Sequence, residues 1–291
     1  MRTHEAAHTL TVLREAYQGW NRHHTPHLAA ALSFYLAFSL APLLVIAIAI
    51  AGLVLGRQHA AQDVLAPLSA FVGPSGARFL TNLVNGLSKP APNIIAAAAG
   101  IVALVLGASG AFIQLQDALN IVFDAQAQGS SVWRAFQVRF VGFFMVLAIG
   151  LVLLAMQILN AGLAGYLALA GQLAPGAVRG GFLSAVGLAL SFAVIGVLFA
   201  LLFRYVPHQR IDWRDALIGG AFTAALFVFG QWAVSMYVAH TALRSIHGAA
   251  AAALIIMTWL YYSSTVVFFG AEFTRAFAHQ RRQQALPGLA Q

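Results

Sequence analysis

The sequence contains no cysteine, and charged residues make up only 8% of its 291 positions. Without cysteine there is no thiolate nucleophile, no disulfide framework and no Cys-ligated zinc. Soluble domains carry roughly 25% charge, so these residues cannot cover the surface of a water-soluble domain of this size. Composition therefore excludes an ordinary soluble enzyme, a disordered tail and a fibrous repeat. Acidic residues are the scarcer sign: eight Asp and Glu stand against 16 Lys and Arg, a formal net charge of +8. In a soluble protein that excess would suggest nucleic acid. In a membrane protein it is expected beside anionic lipid. What the chain does have is apolar length, with 60% hydrophobic residues.

A transmembrane helix takes about 20 mainly apolar residues. Stretches without Asp, Glu, Lys or Arg run over 28–56, 90–116, 140–178, 180–203, 216–243 and 245–271, the third with a helix expected to end near Asn160. Bare backbone cannot cross hydrocarbon and barrel-type alternation is absent, so the expected fold is all-α, polytopic, with six transmembrane helices. The first run is too long for a cleaved secretory signal, and no A-x-A-like site follows it cleanly; it reads as a retained helix. Eleven Lys and Arg fall on the side that holds both termini and five on the other. That bias places both termini in the cytoplasm of a bacterial inner membrane.

The expected organisation is a cytoplasmic amphipathic segment over 1–27, a six-helix transmembrane domain over 28–278 and a cytoplasmic tail over 279–291. In the first segment Leu10, Leu13, Tyr17 and Trp20 recur at helical spacing, as in a helix lying on the inner leaflet. Asn21 to Pro26 breaks it. An external helical insertion is expected over about 57–93, divided by Gly73-Pro74 and striped by Leu80, Leu83, Val84 and Leu87. No internal repeat is visible, which disfavours repeat-built transporter folds.

Inside a membrane the informative residues are polar ones. On the second helix Ser109, Gly110, Gln116, Asp117, Asn120 and Asp124 fall within roughly a third of the circumference, opposite Phe112, Leu115, Leu119 and Val122. The plain alternative is a helix that emerges into water after Gln116. Asp117 lies about two turns deeper than Asp124, near 10 Å by the helical rise. On the sixth helix Thr258, Tyr261, Tyr262, Thr265 and Glu272 share a face, and Arg275 follows Glu272 at pairing distance. Here the plain alternatives are interhelical hydrogen bonds and an interfacial ion pair. The first helix adds Tyr35, Ser39 and Pro42, where a packing kink is the plainer reading. All three stripes lie toward the cytoplasmic ends, so they are expected to line one inward-facing cavity. Ser184, Gly187, Ser191 and Gly219-Gly220 are packing positions.

Known chemistry is missing. His4 and His8, and the group His23, His24 and His27, fit no metal motif and read as a cationic interfacial patch. There is no G-x-S-x-G elbow and no P-loop. No cofactor, metal or enzymatic activity is expected. Asp212 and Asp215 sit among Arg210 and Arg214, where pairing explains them. Asp212 is also placed to cap the fifth helix, with Asp215 at N3.

At particular runs the chain resembles the YihY/virulence factor BrkB family of inner-membrane proteins. They are Ala30-Ala31-Leu32-Ser33-Phe34-Tyr35 with Phe38-Ser39-Leu40-Ala41-Pro42-Leu43, and Ala108-Ser109-Gly110-Ala111-Phe112 with Leu115-Gln116 and Ala118-Leu119-Asn120. Next come Arg204-Tyr205-Val206-Pro207 with Arg210 and Trp213-Arg214-Asp215-Ala216. The end supplies His247-Gly248-Ala249-Ala250, Trp259-Leu260-Tyr261-Tyr262 and Gly270-Ala271-Glu272-Phe273-Thr274-Arg275. The likeness covers about Tyr17 to Arg282. His247 replaces a usual Tyr, alanines to Ala253 replace a usual Gly-Ser, and Leu106-Gly107 replaces a Trp-Ser. The resemblance implies a six-helix membrane protein, and relatives that look linked to serum resistance or to lipid and envelope homeostasis. It also carries an old ribonuclease label, which the residues do not support.

The expected function is binding or transport of a lipid-like, anionic amphiphile through the inward-facing cavity. Asp117 and Glu272 would handle a cation or proton. Arg204, Arg210, Arg214 and Arg275 would attract the headgroup. The alternative is a non-transporting scaffold or regulator of envelope homeostasis. Membrane lipids are the expected partners and nucleic acid is not; the oligomeric state is open.

Overall fold

The computed structural model describes residues 2–39, 81–82, 110–125, 177–209, 211–242 and 249–285. Regular structure among them is helical throughout. We label the helices α1 (Arg2–Arg22), α2 (25–39), α3 (110–122), α4 (Ala177–Tyr205), α5 (Trp213–Ala242) and α6 (Ala249–Ala285). α4 packs along α5, α5 along α6, and α1 along α6. The third expected span and nearly all of the external insertion lie outside the described residues. Among the described residues, one helix is long and apolar enough to cross a membrane, Trp213–Ala233, with a shorter apolar helix at Ala189–Tyr205. α6 continues to Ala285, through the start of the segment expected as a tail.

Local chemistry sets the helix ends. α1 stops where His24 adopts a left-handed φ of 48°, a conformation that His, Asn and Asp enter more readily than most residues. The His24 N–H donates to the Asn21 carbonyl, and α2 starts at once with Pro26 in its first turn, where a missing N–H costs nothing. The expected break from Asn21 to Pro26 is therefore a tight turn. α3 ends the same way at Asp124, φ 51°. Ala125 N–H donates to the Asn120 carbonyl and Asp124 N–H to the Ile121 carbonyl, the paired bonds of a Schellman cap. α5 begins after Asp212, whose carbonyl accepts from Ala216 N–H, so Asp212 holds the N-cap position and Asp215 holds N3.

One apolar core joins α2 to α6. Leu32, Leu119, Val122, Phe203, Ala216 and Phe268 all belong to it. A second, smaller core is formed by Val12 and Ala16 of α1 with Phe273 and Ala276 of α6. Phe222 stacks on Phe273 beside it, ring centroids 3.9 Å apart. Outside these cores Phe38, Phe229, Trp232 and Leu254 are exposed. An apolar exterior of this kind suits hydrocarbon rather than water.

Five buried hydroxyls are satisfied within their own helices. Ser33 donates to the Ala30 carbonyl, Ser39 to Leu36, Thr223 to Gly219, Ser264 to Leu260 and Thr274 to Gly270, at 2.6–3.0 Å. That local bond lets a helix bury Ser or Thr without a partner elsewhere. Gly220 is a close-approach position: a Cβ there would strike the Gly196 carbonyl and lie 2.8 Å from Ala200 N. This is the packing role read from Gly219-Gly220.

Candidate functional site

α1 carries three functions on three faces. Val12, Ala16, Gly19 and His23 recur at spacings of four, three and four, which keeps them on one side. That side meets α6: Val12 and Ala16 join Phe273 and Ala276, and Gly19 lies against Glu272 and Arg275. A second face holds the stripe read from the sequence. Leu10 and Tyr17 are exposed, and Trp20 packs edge-on against Phe269 at 5.7 Å. The third face, with Thr11, Arg14, Glu15, Gln18 and Arg22, lines a cleft of about 880 Å³. Asp124, at the end of α3, and Gln209 and Ile211 form another part of it. Arg275, His279 and Arg282 of α6 complete it.

A carboxylate–arginine cluster sits at the base of this cleft. Glu272 is fully buried. His23 Nδ1 is 2.6 Å from Glu272 Oε1, Thr25 Oγ1 reaches the same oxygen at 3.5 Å, and Arg275 Nε donates to Oε2 at 3.3 Å. Gly19 makes room for this group, because any Cβ there would collide with Glu272 Oε2. Asp124 lies one shell outward. It is 3.0 Å from Arg275 Nη1, 3.3 Å from Arg22 Nη2 and 3.4 Å from His23 Nε2. Two helix ends, those of α1 and α3, are thus tied by charge to the interior of α6.

Charge in the cleft is unevenly used. Glu15 faces His279 Nδ1 at 2.8 Å and Gln280 Nε2 at 3.3 Å. Asp124 serves Arg22 and Arg275. Among the described residues no carboxylate forms a salt bridge with Arg14 or Arg282, both exposed on the cleft wall. Four arginines and a histidine therefore face two carboxylates, both already engaged.

The residues expected to line one cavity are distributed. Tyr35 lies against Gly110, where a Cβ would stand 2.9 Å from its ring. Ser39 is buried and bonded to its own helix. Pro42 and Ser109 lie outside the described residues, as does Arg210. Gln116 Nε2 donates to the Val206 carbonyl at 3.1 Å, and Asn120 Oδ1 accepts from His208 N–H at 2.9 Å. Asp117 is exposed, while Phe112, Leu119 and Val122 on the opposite face of α3 are buried. Tyr261 is exposed, Tyr262 donates to the Leu226 carbonyl at 2.9 Å, and Thr265 Oγ1 is buried with no partner among the described residues. The Glu272–Arg275 pair forms at i+3, and of the expected polar stripes Arg275 of this pair and Asp124 line the cleft.

The arginines divide too. Arg204 lies over the Trp213 ring at 4.7 Å and donates to the Ile211 carbonyl, so it braces the α4–α5 connection. Arg214 is exposed. Asp212 and Asp215 were expected to pair with Arg210 and Arg214. Among the described residues the partner of both is Arg281 of α6, at 3.0 Å for Asp215, while Arg210 lies outside them. The long α6 brings a remote guanidinium over both carboxylates. Sequence reasoning also missed His23, read there as part of an interfacial patch. The signal available was the Val12, Ala16, Gly19, His23 spacing, which continues a small-residue packing face to the histidine. No group of three His, Asp or Glu among the described residues is arranged to hold a metal ion.

Asn120 offers a small test of this geometry. Asn120→Ala removes the acceptor of His208 N–H, at a cost of about 1 kcal/mol. The melting temperature should fall by about 3 °C, measured in detergent.

The model of the virulence factor BrkB family matches residues 16–290. The chain belongs to the virulence factor BrkB family. The BrkB match takes in the whole carboxylate–arginine cluster; Arg14 and Glu15 precede it. Relatives include a UPF0761 membrane protein of Methylibium petroleiphilum, 28% identical over 272 residues, covering 89% of this chain and 61% of that protein. Another, from Pseudomonas aeruginosa, is 26% identical over 270 residues, covering 91% and 62%. A third, from Psychromonas ingrahamii, is 38% identical over 96 residues, a third of each chain. The chain spans about three-fifths of the length of the first two relatives. No solved structure matches. The protein is a membrane protein of the BrkB family.

Proposed function

We propose that this protein binds an anionic amphiphile, a lipid-like molecule bearing a phosphate, at the cytoplasmic mouth of the α1–α6 cleft. The observation that carries the reading is the surplus of cationic side chains in a cleft of about 880 Å³. Arg14 and Arg282 stand there outside any salt bridge among the described residues. Phosphate is the ligand that arginine recognises best, through parallel N–H donors. The exposed Leu10 and Tyr17 on the neighbouring face of α1 supply an apolar surface for the tail. Lys and Arg counting supports a cytoplasmic location for this end. Transport of the amphiphile between leaflets, driven by an ion gradient or by equilibration, is the fuller form of the proposal.

The test is a titration of the purified protein, in neutral detergent, with short-chain phosphatidylglycerol and short-chain phosphatidylcholine. Phosphatidylglycerol binds more tightly, and added salt weakens it. The double variant Arg14→Gln, Arg282→Gln loses affinity by roughly 30-fold, from about 1 kcal/mol per cation. Equal affinity for the two lipids overturns the reading.

A scaffold is favoured by one observation: polar side chains such as Tyr262, bonded across to Leu226, act as glue between helices. Reconstitution separates carrier from scaffold. A carrier moves labelled anionic lipid between leaflets faster than empty vesicles do, and a scaffold does not.

A further inference from the structure

Asp124 is bound in the manner of a ligand. Its carboxylate sits in the cleft between Arg22 of α1 and Arg275 of α6, which both donate to it, with the ring of His23 in the following turn alongside and accepting from Arg22 Nε. Its backbone takes the left-handed conformation at the end of α3, which aims the side chain off the helix and into that group. Both it and Arg22 are 59% exposed, so solvent or a solute reaches the pair, and exposed pairs of this kind are weak.

We propose that Asp124 is a built-in surrogate for the ligand's phosphate, and that the arriving phosphate displaces it. This rests on reading the cleft as a site for an anionic amphiphile and adds how that site is kept closed when empty. A phosphate offers more oxygens and more charge than a carboxylate, and fits two guanidinium groups at once. The exchange leaves no charge buried and unpaired. The phosphate takes the donors of Arg22 and Arg275, Asp124 turns to solvent, and His23 keeps Glu272 through Nδ1. Arg14 and Arg282, on the cleft wall, stay beside the anion before and after the exchange. When Asp124 leaves, α3 loses its charged tie to α1 and α6, so ligand binding loosens one helix end. The site thereby links occupancy to a conformational change.

The charge change can be made without disturbing the turn, because Asn is accepted at left-handed helix caps. Asp124→Asn is expected to tighten short-chain phosphatidylglycerol binding by roughly fivefold, the scale of an exposed pair. Glu15→Gln removes the same charge from the same cleft, but Glu15 holds His279 and Gln280 rather than the arginines. It should tighten binding by less than about twofold. Arg275→Gln in the Asp124→Asn background should abolish the gain. Equal tightening in Asp124→Asn and Glu15→Gln would mean a general effect of cleft potential, and no tightening in Asp124→Asn would mean no competition; either overturns the proposal. Failure of wild type and variants alike to bind overturns the amphiphile reading itself, a different outcome. Inorganic phosphate is titrated in parallel. A gain confined to phosphatidylglycerol assigns the site to a lipid headgroup, and a gain with both assigns it to any phosphate group. The cysteine-free chain also allows spin labels at Ile121→Cys and Gln283→Cys, which do not line the cleft. Saturating phosphatidylglycerol should lengthen and broaden their separation, and an unchanged distance overturns the release of α3.

Discussion

Glu272→Ala is expected to cost about 3–5 kcal/mol, the scale for removing one partner of a buried ion pair. The carboxylate is fully buried and receives His23, Thr25 and Arg275. Its loss leaves Arg275, with a side chain only 17% exposed, on Asp124 alone, and takes the partner of Nδ1 from His23, only 8% exposed. The penalty is the stranded cation and imidazole rather than the net worth of the pair. Glu272→Gln keeps the volume and an acceptor oxygen, so it should lose about half as much. Gly19→Ala attacks the same group from the other side, since its Cβ collides with Glu272 Oε2. Thermal melts in detergent decide the matter. Glu272→Ala should melt about 10 °C below wild type, and a melt equal to wild type would show that Glu272 is not the tie between α1 and α6.

A second large effect is expected where α5 crosses α6. Thr274 of α6 sits against Gly219 of α5, and Thr223 of α5 sits against Gly270 of α6. Each threonine is fully buried and bonds the carbonyl of the glycine four residues before it. The crossing is a reciprocal lock, with a glycine under each threonine. A Cβ on Gly219 would overlap Thr274 Oγ1, and one on Gly270 would overlap Thr223 Oγ1. Overpacking costs about 1–3 kcal/mol where side chains can shift. Here the obstacle is held by its own hydrogen bond, so Gly219→Val is expected at the top of that range, about 3 kcal/mol. The paired change Gly219→Ala with Thr274→Gly returns the space, and the two substitutions should couple by 1 kcal/mol or more, about the size of contacts between neighbours. Additive losses would show that the two residues do not touch.

How far these features were legible follows from the distance each requires. The two faces of α3 and the pairing of Glu272 with Arg275 are short-range patterns, and periodicity reaches them. The close approach at Gly219-Gly220 is readable as a small-residue motif, though not the threonine that fills it. The meeting of Arg22 and His23 with Asp124 is different. It joins positions about a hundred residues apart, and no local rule specifies it. Arg281 over Asp212 and Asp215 is of the same kind. The expected common cavity treated polar stripes as facing one another. Hydrogen bonds to backbone carbonyls satisfy several of those side chains instead, as Ser39, Gln116 and Tyr262 show.

The most direct test of the central claim is a cryo-electron microscopy map of the protein in phosphatidylglycerol nanodiscs. A phosphate density in the α1–α6 cleft, within hydrogen-bonding distance of Arg22 and Arg275 and with Asp124 swung clear, is the predicted result. A cleft without lipid density, in which Asp124 still holds both arginines while anionic headgroups order elsewhere on the protein, would contradict it.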